Sequence, residues 1–473
     1  HSIFRSADGI LWIGTQNGLG ILYHEKSQFP LIRNIPGKTN TLSSNNIKGI
    51  LEGDDGMVWI ATVDGLNAWD RTTGKFNVFR NRAGDKTSLS SDYFLSLLID
   101  DAGTLWIGTR GGGINKLITA AGTSLADSRF ERYGHDRVSV QHMMDDGPYL
   151  WLGTSGHGLI RMEKGSGEQL QFHGPADGNH PSHPYVFYLL RDSFQNFWLG
   201  TATGGLNLFD ETTGRFLYIV NNNSNPNSLS NNLVLCIFED SRNRLWVGTA
   251  AGLNRFKPPL QKDIFRMLDT LHDPGKVALF QNYGRRDGLP NEVIYGIQED
   301  ASGFLWLSTN DGLVKFDPDE GKAVKTFDVM DGLQSNEHNQ NAFFTNNKGE
   351  MYFGGAGGFN VFHPAKISDN HYVPPVVITD IKLFNTPLPI GSDPDNDAPF
   401  ELGAAPHMID LISLDYHHDV ISFDFAALSF INPQKNAYRY KLEGFDKDWI
   451  DASEIRSATY TNLDPGKYTL RIQ

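Results

Sequence analysis

The stretch GTLWIGTRGGG at Gly103–Gly113 recurs with variations eight times along this 473-residue chain, and that recurrence limits the fold more than any other feature. The other copies read GILWIGTQNGLG from Gly9, GMVWIATVDGLN, PYLWLGTSGHGL, QNFWLGTATGGLN, NRLWVGTAAGLN, GFLWLSTNDGLV and GEMYFGGAGGFN. Their aromatic residues are Trp12, Trp59, Trp106, Trp151, Trp198, Trp246, Trp306 and Tyr352, separated by 47, 47, 45, 47, 48, 60 and 46 residues. A period of this length with four short strand signals per unit is that of propeller blades. No 3.6-residue pattern is sustained, so helical repeats fit less well.

One unit shows the four strands: YFLSLLID (Tyr93–Asp100), TLWIGT, GGINKL (Gly112–Leu117) and RFERY (Arg129–Tyr133). Turns such as DAG, DRTTGKF and DETTGRF connect strands, with glycine supplying the positive φ that other residues resist. Ten residues before each motif aromatic stand Ser2, Gly49, Ser96, Gln141, Tyr188, Cys236, Gly296 and Ala342, mostly small. Small side chains suit innermost strands that converge on a central channel. Cys236 reads as a member of this column rather than as a reactive thiol. The last unit ends its third strand at VFHP and lacks a fourth, while FPLIR (Phe29–Arg33) is a fourth strand without a blade.

We therefore expect an all-β chain whose residues 29–364 form a seven-bladed β-propeller closed by FPLIR, with an eight-bladed ring as the rival. Residues 1–28 would be the last blade of a preceding, truncated propeller. After Pro374–Pro375 the segments VVITDIKLFN, VISFDFAALSF, AYRYKLEGF, SATYTNL and KYTLRIQ alternate as strands, so residues 365–473 are expected to form a truncated Ig-like β-sandwich. The chain opens inside a repeat and ends within an apparent strand, and we read it as a fragment.

A net charge of −14 argues against nucleic acid as the main partner. One cysteine cannot form an internal disulfide. No run of about 18 apolar residues would span a membrane.

The stretch YRYKLEGFDKDW followed by YTNLDPGKY resembles the Y_Y_Y domain, with Tyr440, Tyr460 and Tyr468 at its eponymous tyrosines and Gly444, Asp446, Trp449, Pro465 and Gly466 around them. The LWIGT..GL units resemble two-component regulator propellers, and LWLSTNDGLVKFDP, DGLQSNEHNQ and MYFGGAGGFNVFHP match that family's closing blades. The resemblance covers essentially the whole chain. It implies the periplasmic sensor region of a bacterial hybrid two-component histidine kinase, a signal-transduction protein of the inner membrane that often senses oligosaccharides. It also implies a homodimer through the Y_Y_Y domain, a membrane tether on a missing downstream helix, and missing kinase, receiver and further domains. The three tyrosines equally suit the core and corners of a sandwich.

No nucleophile motif, zinc pattern or phosphate-binding glycine loop is present, so no catalytic residue, metal or cofactor is assigned. Aspartate-rich turns such as Asp54–Gly56, Asp100–Gly103 and Asp145–Gly147 lack the later bidentate glutamate of a calcium loop, and Asp–Gly turns need no metal. Two other functions stay open. One is a propeller lyase, since virginiamycin-inactivating lyases share related G-x-L-W repeats, or another glycoside-processing enzyme. The other is a protein-interaction platform.

Strand alternation puts the loops between blades and the turns between second and third strands on one face, where NRAGDKTSLSSDY, HGPADGNHPSHPY, NNNSNPNSLSNN and GRRDGLPNE differ most. Sugar sites pair aromatic platforms with planar polar groups. On that face the candidate ligand-binding residues are Tyr93, Arg110, His157, His183, Tyr185, Arg285, Arg286 and His338. Arg110 stands where most copies carry a neutral residue and suits a carboxylate or acidic sugar.

Overall fold

The computed structural model describes residues 2–6, 10–16, 18–22, 28–119, 125–134, 137–174, 179–262, 264–271, 276–368, 373–391, 401–415, 417–429, 433–452 and 455–473. The chain divides into two compact units, residues 27–368 and residues 1–26 with 369–473.

Within the first unit the described residues form seven four-stranded antiparallel sheets. Sheet 1, for example, comprises Ile47–Glu52, Met57–Thr62, Gly65–Asp70 and Lys75–Phe79. Sheets 2 to 6 follow in chain order, and their innermost strands are Phe94–Ile99, Val140–Asp146, Val186–Arg191, Val234–Glu239 and Ile294–Glu299. Sheet 7 takes three strands from His338–Thr345, Met351–Gly355 and Phe359–Phe362, and its outermost strand, Leu31–Ile32, from the other end of the unit. The innermost strands pack against one another in cyclic order, with that of sheet 7 against that of sheet 1. The unit is thus a β-propeller.

Burial explains why one phrase recurs. The apolar core consists of seven clusters, each shared by two neighbouring sheets, and each holds one motif aromatic. Trp106, Trp151, Trp198, Trp246, Trp306 and Tyr352 are at most 1% exposed. Burying an aromatic of this size contributes about 4–6 kcal/mol to an interface. The indole N–H then needs an acceptor, and an aspartate supplies it: Trp106 donates to Asp100, Trp198 to Asp192, Trp246 to Asp240 and Trp306 to Asp300, all at 2.8–2.9 Å. The other oxygen of Asp100, Asp192, Asp240 and Asp300 accepts two backbone N–H groups of the turn that follows. These four aspartate turns are tryptophan anchors, whereas in the turn Asp54–Gly56 Asp55 accepts the Met57 N–H.

The column of small residues is present with one correction. Gly49, Ser96, Tyr188, Cys236 and Gly296 face Ala61, Gly108, Gly200, Gly248 and Ser308 on the adjacent strands. In sheet 3 the residue facing Gly153 is His142, not Gln141, because the turn joining its first two strands is one residue shorter: the anchoring Asp146 stands five residues before Trp151, where Asp100 stands six before Trp106. The buried Cys236 thiol donates to the Ile294 carbonyl at 3.7 Å, and burial raises its pKa.

In the second unit, Val376–Leu383, Thr386–Pro387, Val420–Ala427 and Ser457–Thr461 form one sheet, and Arg439–Glu443, Ile450–Asp451 and Thr469–Ile472 form another. Residues of both sheets share one core that includes Ile381, Phe425, Tyr438, Leu442 and Tyr460. The Tyr460 hydroxyl donates to Asp446, whose same oxygen accepts the Leu442 N–H, so this tyrosine fixes a turn. Tyr468 donates to the Asp464 carbonyl. Both have structural work. A separate three-stranded sheet, Ser2–Arg5, Leu11–Thr15 and Gly18–Leu22, leaves Ile3, Phe4, Leu19 and Leu22 more than half exposed.

Phe29, 1% exposed, packs edge-on against Phe327 and Phe362 just before the strand that completes sheet 7. Phe29→Ala is expected to destabilise the propeller by about 3–5 kcal/mol, read from denaturant unfolding.

Candidate functional site

Most polar residues of the repeat are consumed by the scaffold. The motif threonines Thr62, Thr109, Thr154, Thr201, Thr249 and Thr309 donate to the carbonyls of Gly65, Gly113, Gly158, Gly205, Gly252 and Gly312. Fully buried Asn67, Asn115, Asn207, Asn254 and Asn360 each accept a backbone N–H from the loop entering the sheet, at Ser43, Ser90, Ser182, Ser230 and Gln334. Loops arriving at this face are therefore fixed.

Two of the loops expected to be individual prove to be copies. NRAGDKTSLSSD and NNNSNPNSLSNN share their bracing with NIPGKTNTLSSN at residues 34–45. In each, the first asparagine (Asn34, Asn81 or Asn221) donates its side-chain amide to the carbonyl of Leu42, Leu89 or Leu229. Its backbone N–H is taken by Asn45, Asp92 or Asn232. GRRDGLPNE likewise shares a short 3₁₀ turn with the loop at Val329–Asp331. Of HGPADGNHPSHPY, residues 175–178 lie outside the described residues.

The eight candidate residues separate into groups. Arg110 is exposed and lies over the ring of Tyr93, 5.1 Å from its centroid, and its backbone N–H donates to the Tyr93 carbonyl. His157, His183 and Tyr185 come together between sheets 3 and 4. Gly156 and Gly158, on either side of His157, donate backbone N–H groups to the Pro184 carbonyl, and Ser155 bridges Tyr185. The His183 and Tyr185 rings are 5.4 Å apart, and Tyr185 is 43% exposed. Arg285 and Arg286 are exposed on their 3₁₀ turn. His338 departs from the expectation of a surface residue. It is 3% exposed, its ring edge-on to Phe353, and burial lowers its pKa to about 4.

The sequence reading missed what crosses the channel. The innermost strand of sheet 7 begins with four polar residues, His338–Asn341, at a bulge where Asn341 takes φ 61°. The Asn339 amide donates to Asn46 Oδ1 and the Ile47 carbonyl of sheet 1. Gln340 donates to the Leu235 carbonyl of sheet 5, and Asn341 to the Gln141 carbonyl of sheet 3 at 2.6 Å. Three consecutive amides thus reach across the ring. The amide-rich run in a segment otherwise reading as a strand was the available signal.

Below this bridge, towards the ends of the innermost strands, lies a cavity of about 350 Å³ lined by Gly49, Ser96, His142, Tyr188, Asn341 and Phe343 among others. The rings of His142 and Tyr188 are 4.1 Å apart. Burial lowers the His142 pKa to about 4 and raises that of Tyr188. On the turn face, sheets 7 and 1 are clasped by Arg71, which donates to both oxygens of Glu350 and to Tyr352 Oη; Tyr352 donates in turn to Glu52. The Arg71 guanidinium holds the Glu350 carboxyl down at about 2. Tyr352 thus turns the tryptophan anchor into an inter-sheet clasp. No grouping of three His, Cys, Asp or Glu residues placed to hold a metal occurs among the described residues.

Residues 41–64, 88–111, 228–251 and 288–311 match the two component regulator propeller model, and residues 429–473 match the Y_Y_Y domain model. The chain therefore carries regulator-propeller repeats followed by a Y_Y_Y domain, as the resemblance implied. It is 29% identical over 323 residues to "Histidine kinase P4" of Formosa agariphila, a match covering 61% of this chain and 23% of that protein. In fold it is similar to the extracellular domain of the hybrid two component system BT3049 from B. thetaiotaomicron, with a TM-score of 0.76 and 22% identity over all of this chain and 58% of that one. The extracellular domain of BT4673 from the same organism gives a TM-score of 0.53 and 23% identity over 99% of this chain and 58% of that one. The chain thus spans under a quarter of the curated relative and somewhat over half of these two structures.

His142 and His338 both hold folded-state pKa values near 4 against 6.5 when unfolded. The unfolded chain therefore binds more protons between those values, and the stability from both neutral rings, complete above pH 6.5, is lost as pH falls towards 4. Replacing both with glutamine is expected to flatten this part of the stability–pH profile, measured by urea unfolding between pH 7 and 4.

Proposed function

We propose that this chain is the extracytoplasmic ligand-sensing region of a two-component sensor histidine kinase and that it acts by binding rather than by catalysis. The observation that carries the reading is the division of labour on the loop face. The polar groups of the repeat are hydrogen-bonded into the scaffold. Tyr93 with Arg110, and His157 with His183 and Tyr185, are instead presented by that scaffold. A rigid ring carrying a few aromatic and planar polar side chains suits an oligosaccharide or a similar polar ligand. Support for the signalling role comes from the regulator-propeller and Y_Y_Y matches and from the similarity to a histidine kinase.

In this reading the seven sheets are the seven blades of one ring, and the exposed sheet of residues 2–22 is the last blade of a preceding propeller. The Y_Y_Y domain passes the signal towards an inner-membrane helix and a kinase, as a homodimer, with the sensing region in the periplasm. A ligand can drive such a change only by binding one of two states more tightly than the other.

Isothermal titration against acidic and neutral oligosaccharides, with product analysis of each mixture, tests this. Saturable binding without turnover is expected, weakened about tenfold by alanine at Tyr185 or His183, an effect of the size of one lost aromatic or polar contact. Turnover would replace the sensor reading with a lyase or hydrolase, and unchanged affinity in both variants would remove this site.

A further inference from the structure

The amide bridge crosses the central channel on the loop face, and sheets 1 and 2 each bring one cation to that face, Lys48 and Arg110. Lys48, the second residue of the innermost strand of sheet 1, is half-buried there, with its ammonium 3.5 Å from Asn339 Oδ1. The innermost strand of sheet 2 packs beside that of sheet 1, and Arg110 is held over Tyr93, the residue that precedes that strand. Burial first and Arg110 second lower the Lys48 pKa. Among the described residues neither cation has a carboxylate within ion-pair distance, although the chain carries 55 acidic residues against 41 basic ones.

Holding two like charges near each other, one partly desolvated, is unfavourable unless an anion joins them. The bridge cannot supply one, because it is built of neutral amides whose N–H groups are spent on backbone carbonyls and a neighbouring amide. The ring of Tyr93 beneath Arg110 keeps the guanidinium at the rim while leaving its planar fork free.

We propose that the mouth of the channel on the loop face is a subsite for a carboxylate, bound between Lys48 and Arg110 above the amide bridge, so that the ligand of this face carries an acidic sugar or an equivalent carboxylated group. This rests on the sensor reading above and gives it a ligand class. Because Asn339 contacts Lys48 and sits on the innermost strand of sheet 7, an occupant would also bear on the strand that spans the ring.

The test is calorimetric titration of the whole chain with four probes: a glucuronate-containing disaccharide, its methyl ester, the neutral glucose analogue and inorganic sulfate. The acid is expected to bind at least about tenfold more tightly than its ester, and that preference is expected to vanish in Lys48→Gln and in Arg110→Gln with little change in melting temperature. Equal binding of acid, ester and neutral sugar would overturn the carboxylate subsite while leaving an oligosaccharide sensor intact. Sulfate binding as tightly as the disaccharide would overturn the assignment to a carboxylate. A preference surviving both substitutions would place the acid elsewhere, and silence with all four probes would overturn the subsite and weaken the sugar reading with it.

Discussion

Everything in the propeller depends on a motif aromatic wedged between two sheets. A single four-stranded sheet this small cannot bury both faces, so each must share its apolar surface with the next. Seven shared clusters, each holding one of Trp59, Trp106, Trp151, Trp198, Trp246, Trp306 and Tyr352, make the sheets mutually dependent. Burying an indole without an acceptor for its N–H would forfeit part of that gain. The aspartate six residues before most of these tryptophans resolves the conflict, and in doing so shapes the turn joining the first two strands.

The closing sheet breaks these rules in ways that hold the ring together. Its aromatic is Tyr352, whose hydroxyl reaches Glu52 of sheet 1 rather than a local aspartate, and Arg71 ties the same pair of sheets through Glu350. Its innermost strand sends amides to sheets 1, 3 and 5. Sheet 7 is thus braced from inside the channel as well as at its edges. A ring assembled from neighbour contacts alone would have no such direct link between sheets on opposite sides.

Much of this was legible in order along the chain. The period of the repeat gave the propeller, and the missing fourth strand in the last unit, with FPLIR left over near residue 30, pointed to the partner that now completes sheet 7. The small-residue column was legible except at sheet 3, where a turn one residue shorter put His142 in place of Gln141, because a one-residue deletion leaves little trace in a pattern read by spacing. The candidate site was less legible. Two supposedly individual loops were copies of one braced loop, a similarity hidden by the different chemistry of their exposed positions. His338 looked like a surface residue because it follows a polar loop, yet it is buried at the start of the strand whose amides cross the ring.

The sequence by itself determined the architecture, since a repeated aromatic with a repeated aspartate and threonine dictates the same local sheet each time, and local sheets of one kind can satisfy their apolar faces only side by side. It also determined that function would reside in what the copies do not share. Tertiary structure alone decided which unlike residues meet. Lys48 and Asn339, or Asn341 and Gln141, are separated by 291 and 200 residues and belong to different sheets. They come together only because ring closure brings every innermost strand to one axis, and no periodicity along the chain records which side chains face one another across it.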